Sequence, residues 1–499
     1  MSPRKLQNLC AGKWVTSATT EYSNVYNPAT GEVIAEHPLS TQSEIDQIIA
    51  GAVEAFGPWK RTPVPTRSAI MFRYRHLLTS HSDELAAIIT MENGKTYEEA
   101  KGELLRAIQY VEHAAAVPET MKGSVTENIG TGVDIEFIRE PLGVFAVIAP
   151  FNFPAMIPLY FAWAVATGNS VILKPSELCP LTAIRMAELA EEAGLPKGVL
   201  SIALGDKTVV ERLGTHPDMV GLSFVGSSEI AGIVYKLVTG AGKRCQAQGG
   251  AKNHLVVTDT AAIDACMPNI VSSMYGNASQ RCFAGSNVLV YEQVYDEFLE
   301  KLLKLSREFK IGNPTDSSTT LGPVISASAR DKFISAINAA EKSGAKLLLD
   351  GRGVSVKGCE GGYWVGPTLI ESDLSAPEFR NELFGPVRCI AKVSGLNEAI
   401  EIINSSNYGH TAVVYTESGG VAREFRQRVD VGQVGVNVGT PAPIAFYPVG
   451  GRKSSFYGDL RGRANDAVDF YTDKKIIVST WHGDLVQSKP VDPAFTGKV

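Results

Sequence analysis

At 499 residues, with 44% hydrophobic and 20% charged side chains, the chain is long enough for two or three domains with sizeable cores and unlike disordered, collagenous or disulfide-scaffold sequences. Its net charge of −6 sets up a field that repels phosphate backbones and anionic lipid surfaces, which argues against a nucleic-acid or membrane-surface partner. The seven cysteines, at 10, 179, 245, 266, 282, 359 and 389, are odd in number, widely spaced and without a CxxC pair, which suits free thiols in a reducing, cytoplasmic setting better than disulfides or a metal site.

The opening text MSPRKLQNLCAGKWV has no apolar run and no Arg/Ser-rich amphipathic pattern, so neither a signal nor a transit peptide is expected. Apolar residues recurring at three and four positions predict helices over 44–59, 66–92 and 97–121. From 124 to 139, Thr, Val, Ile and Phe alternate with polar residues around Gly130 and Gly132, which predicts a hairpin arm. No charged residue occurs from 141 to 173, but Pro150, Asn152, Pro154 and Pro158 interrupt that stretch and Gly168 and Asn169 punctuate it. A membrane-spanning helix is thereby excluded, and the stretch reads as strand, loop, helix and strand.

Short apolar runs at 145–149, 171–174, 200–204 and 221–225, with helical text such as 180–193 between them, predict a parallel, doubly wound sheet. The alternation restarts after Gly249 and Gly250 with 255–258, 263–275, 286–290 and 293–309, which predicts a second α/β domain.

Four stretches carry possible chemistry. Asn152, in VIAPFNFP at a strand end, offers an amide for a developing oxyanion, or simply makes the turn. Lys174 and Glu177 in LKPSE suit ribose hydroxyls, and the carboxylate would repel a 2′-phosphate and favour NAD over NADP; a surface turn capped by Ser176 is the plainer reading. In FVGSSEIA, Gly226 and Ser227 open a helix whose free N–H groups suit a pyrophosphate, although capping alone explains the serines and no GxGxxG is present. Cys282 follows Arg281 in NASQRCFAG, where a neighbouring guanidinium is expected to shift the thiol toward thiolate; the alternative is one more buried cysteine.

Taken together, PFNFP, LKPSE, FVGS, QGGAKN, QRC, ELFGP and GQVGVN, in that order, resemble the aldehyde dehydrogenase superfamily over essentially the whole chain. The resemblance implies an NAD-binding domain (1–123 and 140–248), an α/β catalytic domain (249–450) and a small β oligomerisation arm (124–139 and 467–485), assembled as a homodimer or homotetramer. It implies Cys282 as nucleophile, with Asn152 and the Cys282 N–H around the oxyanion. Phe151, Lys174, Ser176, Glu177, Gly226, Ser227, Glu382 and Phe384 would contact NAD.

One departure bears on the subclass. Hydrolytic members carry a water-activating glutamate in ELGG, whereas QAQGG here puts Ala247 at that position, 282 − 247 = 35 residues before the cysteine. A methyl group takes no proton, so the deacylating nucleophile is expected to be a thiol, which ionises far more readily than water, and coenzyme A becomes the expected acceptor. With YGDL at 457–460 and FYT at 470–472, the chain resembles the CoA-acylating methylmalonate-semialdehyde dehydrogenase branch, which implies a malonate or methylmalonate semialdehyde substrate whose carboxylate meets Arg106 and Arg281. For Arg106 the plainer alternative is a solvated helix residue, or a partner of Glu103. Gln248, Gln280, Phe283 and the loop GTPAPIAF depart from that branch around the aldehyde pocket. A hydrolytic semialdehyde dehydrogenase, or a silent NAD-binding relative, are the competing functions.

Overall fold

The computed structural model describes residues 3–130 and 132–480. Two sheets dominate an α/β fold. The first runs, from edge to edge, Phe456–Tyr457, Arg244–Gln248, Met219–Val225, Val144–Ile148, Ser170–Lys174, Leu200–Ile202, Gln7–Cys10 and Lys13–Thr16. Its five central strands are parallel. VFAVI and SVILK are buried at every position, as strands covered by helices on both faces must be. Strand order reverses between Val144–Ile148 and Met219–Val225, and ligand crevices of open α/β sheets lie beyond the carboxyl ends of strands at such a point.

The second sheet runs Lys346–Leu349, Thr368–Glu371, Val387–Val393, Gly285–Tyr291, Asn253–Val257, Thr411–Tyr415 and Gln433–Val436. It is parallel except at Lys346–Leu349. A three-stranded antiparallel ribbon joins Ser124–Gly130, Val133–Pro141 and Thr472–Thr480, and leaves Val125, Ile129, Ile138, Ile476 and Val478 exposed. No helix among the described residues is long and apolar enough to cross a membrane.

Several elements differ from the sequence expectation. Five strands, from Arg4–Lys5 to Val33–Pro38, precede the first helix; they are two to six residues long and too polar to form a recognisable run. The helix expected at 66–92 is two, Val64–Ser80 and Ser82–Asn93, divided at His81, after which Asp83 and Glu84 favour a fresh N-terminus. That expected at 97–121 stops at Ala115, and Pro118 sits in the first turn of the short helix Val117–Thr120. In the segment 467–485, residues 467–471 belong instead to the helix Ala464–Tyr471, whose Ala467, Val468, Phe470 and Tyr471 enter the first sheet's core; the strand starts at Thr472, and 481–485 lie outside the described residues.

Asn169, fully buried, ties these parts together. Its Oδ1 accepts from the N–H groups of Leu142 and Gly143 at 2.8 and 3.0 Å, and its Nδ2 donates to the Tyr471 carbonyl at 2.8 Å. Ribbon, central strand and last helix are thereby fastened to one amide. Asn169→Ala leaves two amides and a carbonyl without partners, so thermal and urea unfolding are expected to report a loss of at least about 2 kcal/mol. Asn169→Asp, which sets an oxygen against the Tyr471 carbonyl, should be worse.

Candidate active site

A cavity of about 690 Å³ opens beyond the switch point of the first sheet, against the loop that precedes the strand Gly285–Tyr291 of the second. Its wall brings together Arg106, Phe151, Asn152, Gly226, Ser227, Arg281, Cys282, Glu382 and Phe384. Lys174, Ser176 and Glu177 lie outside that wall, at the end of the adjacent strand Ser170–Lys174.

The loop carrying Cys282 is held under strain. Asn277, Ala278 and Ser279 adopt φ of 54°, 46° and 61°, a left-handed run that non-glycine residues take only when the surroundings enforce it. Here Asn253 Nδ2 donates to the carbonyls of Cys282 and Ala284 at 2.7 and 2.9 Å, and the buried Arg388 donates to those of Met274 and Ser279 at 2.8 and 3.1 Å. The Asn277 N–H donates to Glu99 Oε1 at 2.5 Å, and Gln280 Oε1 accepts from the Ile325 N–H at 3.0 Å.

The expected activation of Cys282 by Arg281 is not what the fold provides. Arg281 turns away to pair with Glu99 at 3.1 Å, and its guanidinium occupies the space where a Cβ on Gly276 would stand. Adjacency along the chain is not adjacency in space. Enclosure by the protein pushes the half-buried Cys282 thiol up to about 12, and the Glu382 carboxylate adds to this, while Arg463 and the N–H groups of Cys282 and Phe283 oppose it.

Asn152 stands beside this loop, its Nδ2 donating to the Gln280 carbonyl at 3.0 Å. A buried ion pair fixes it there. Lys95 Nζ meets Glu103 Oε2 at 2.5 Å and the Asn152 carbonyl at 3.0 Å, while Glu103 Oε1 accepts from the N–H groups of Ala155 and Met156 at 2.8 and 3.0 Å. Glu103 is thus committed, and Arg106 does not pair with it; Arg106 is exposed at the cavity wall with no ion pair among the described residues.

On the first sheet's side, the buried Lys174 ammonium pairs with Glu177 and Ser176 Oγ caps the Leu178 N–H at 3.2 Å. Burial lowers the Lys174 pKa, against the pull of Glu177. Ser227 caps the helix Ser228–Gly240 through the Ile230 N–H, so other first-turn amides lack intrahelical acceptors. Glu382 Oε1 accepts the Ala251 N–H at 2.7 Å, and a Cβ on Gly250 would lie 2.1 Å from its Oε2, so this carboxylate is seated on the paired glycines. Burial raises its pKa to about 7. Phe384, at φ 58°, meets Phe151 edge to face with centroids 6.0 Å apart. Ala247 is fully buried in the strand Arg244–Gln248 and takes no part in the wall.

Sequence reasoning missed several residues of the wall: Lys95, Glu99, Tyr110 and Arg463. Glu99, Glu103, Arg106 and Tyr110 do lie at helical spacing, which marks one stripe of the helix Tyr97–Ala115, but nothing in the text says that this stripe faces a cavity.

The chain is similar to known proteins over nearly its whole length. The profile of the aldehyde dehydrogenase family matches residues 14–477. A malonate-semialdehyde dehydrogenase 2 of Bacillus thuringiensis (strain Al Hakam) is 46% identical over 479 residues, 95% of this chain and 98% of the relative. Among solved structures, a Sinorhizobium meliloti 1021 protein assigned as a methylmalonate-semialdehyde dehydrogenase and complexed with NAD superposes with a TM-score of 0.95 at 37% identity, covering 97% of this chain and all of its own. A methylmalonate-semialdehyde dehydrogenase of Oceanimonas doudoroffii gives 0.94 at 38% identity, over 96% of this chain and 99% of its own.

A thiol with so high a pKa in the coenzyme-free protein should alkylate slowly. Mass mapping of Cys282 after iodoacetamide treatment is expected to show a rate rising roughly tenfold per pH unit from pH 7 to 10, with no plateau. Glu382→Gln removes a negative neighbour, lowers the thiol pKa and should speed the reaction at pH 8.

Proposed function

The chain belongs to the aldehyde dehydrogenase family, oxidoreductases that act on aldehydes, and on that premise we propose an NAD-dependent, CoA-acylating semialdehyde dehydrogenase. It converts malonate or methylmalonate semialdehyde to acetyl-CoA or propionyl-CoA with loss of carbon dioxide. The observation that carries this reading is the cavity at the sheet's switch point, where Cys282 and Asn152 meet while the position of the hydrolytic base is a buried methyl, Ala247.

The residues present suit NAD. Gly226, Ser227 and the first turn of Ser228–Gly240 would hold the pyrophosphate, Lys174, Ser176 and Glu177 the adenosine ribose, and Phe151, Glu382 and Phe384 the nicotinamide end. Bound there, NAD would supply the acceptor for the hydride leaving the aldehyde carbon.

Cys282 Sγ adds to that carbon while its proton passes to solvent water. One Asn152 N–H is committed to the Gln280 carbonyl, and the other, with the Cys282 N–H, faces the oxygen that becomes negative. Loss of hydride leaves an acyl thioester on Cys282. Glu99 and Glu103 are committed to Arg281 and Lys95, and Ala247 offers no base, which favours the coenzyme A thiol as the acyl acceptor. The acidic semialdehyde is the small-molecule partner and Arg106 and Arg281 line its pocket; the exposed apolar ribbon supports self-association as a homodimer or homotetramer, and the free cysteines suit the cytoplasm.

Glu382 supports a second reading. A carboxyl titrating near 7 beside Cys282 is suited to take a proton from water, which would release the free diacid. The two separate by product. With malonate semialdehyde and NAD, the acylating reading expects one burst of NADH per site without CoA, steady turnover at least about tenfold faster with CoA, and acetyl-CoA by mass; equal rates without CoA, with malonate as product and both lost in Glu382→Gln, establish hydrolysis instead. Cys282→Ala should abolish turnover in either case.

A further inference from the structure

Four buried polar groups line the cavity without a hydrogen-bond partner, and each of them can donate. Arg463, 5% exposed, precedes the helix Ala464–Tyr471, where Ala464 takes a left-handed φ of 58°. Its guanidinium lies 4.6 Å over the Tyr110 ring, and its terminal nitrogens reach the Pro443 carbonyl at 3.1 Å and Met156 Sδ at 3.8 Å. Nε has no partner, and among the described residues no carboxylate pairs with Arg463. Gln248, 7% exposed, has an unpartnered Nε2; a Cβ on Gly462 would lie 2.4 Å from it, so this amide rests against the residue next to Arg463. The hydroxyls of Tyr110 and Tyr160 are the third and fourth, and all four residues share the wall with Cys282.

A buried, unpaired guanidinium is among the costlier features a fold can carry, and native proteins keep one where a ligand completes it. Arg463 Nε and Gln248 Nε2 can only donate, and the two tyrosine hydroxyls can donate as well, so the group that satisfies all four is an acceptor. The open edge of the planar fork matches one carboxylate. The other candidate cations are less suited: Arg281 is already held by Glu99, and Arg106 is solvent-exposed. Charge around Arg463 is consistent, because although burial works against its ionisation, Tyr110, Tyr160 and Cys282 hold its pKa above the usual arginine value.

We infer that Arg463, with the Gln248 amide and the Tyr110 hydroxyl, forms the subsite that receives the carboxylate of the aldehyde substrate, setting the enzyme's preference for short oxo acids over neutral aldehydes. This rests on the semialdehyde reading above and deepens it.

The test is the ratio of kcat/KM for malonate semialdehyde to that for propanal, measured with NAD and CoA. Arg463→Gln should lower this ratio at least about 30-fold, chiefly through KM for the acid. Arg463→Lys, keeping the charge but not the fork, should lower it less, and Gln248→Leu by about three- to tenfold; these two carry the test if Arg463→Gln fails to fold. A ratio unchanged in the Arg463 variants, or a larger fall in Arg106→Gln than in Arg463→Gln, overturns the subsite while leaving the semialdehyde reading in place. A wild-type enzyme that prefers propanal overturns both.

Discussion

The site depends on one buried ion pair. Lys95 and Glu103 have almost no exposed side-chain surface, and between them they bind the Asn152 carbonyl and the amides of Ala155 and Met156. Those contacts set the path of the loop leaving the strand Val144–Ile148, and hence where the Asn152 amide points. Without the carboxylate, the ammonium and two amides would be stranded in a dry interior, a cost of several kcal/mol. The pair is therefore both a structural clamp and the reason a polar side chain can stand beside Cys282.

A single helix supplies much of the rest. Along Tyr97–Ala115, Glu99, Glu103, Arg106 and Tyr110 occupy one stripe, and each engages a different part of the cavity: the cysteine loop through Arg281 and Asn277, the Asn152 loop through Lys95, the open mouth, and the guanidinium of Arg463. Rigid placement on a helix suits a site whose groups must meet within tenths of an ångström. The strained left-handed run at Asn277 to Ser279 shows the same economy from the other side, since Arg388, Asn253 and Glu99 must all hold it in place.

The electrostatics of the cavity are those of a resting site. Cys282 is held as a thiol by enclosure and by Glu382, and Glu382 itself is poised near neutrality by burial on the paired glycines. Proton loss from sulfur is thus tied to what enters the cavity, because any positive group brought beside it shifts the balance that now favours the neutral form. Arg463 is the counterweight within reach of the sulfur.

Much of this was legible in the text. Continuous apolar runs such as VFAVI and SVILK announce two-sided burial, and the prolines and asparagines after them announce strand ends, so the α/β class and the ordered motifs around Cys282, Asn152 and Glu382 follow from the chain alone. Neighbourhood across the fold does not. Arg281 sits beside Cys282 in sequence yet serves Glu99, whereas Arg463, 181 residues further along (463 − 282), is the guanidinium whose charge reaches the sulfur. The local pattern fixes which residues leave water, since burial is paid residue by residue along a strand or helix; which of them face each other is decided by loops that close between distant elements, and only the folded chain contains that information.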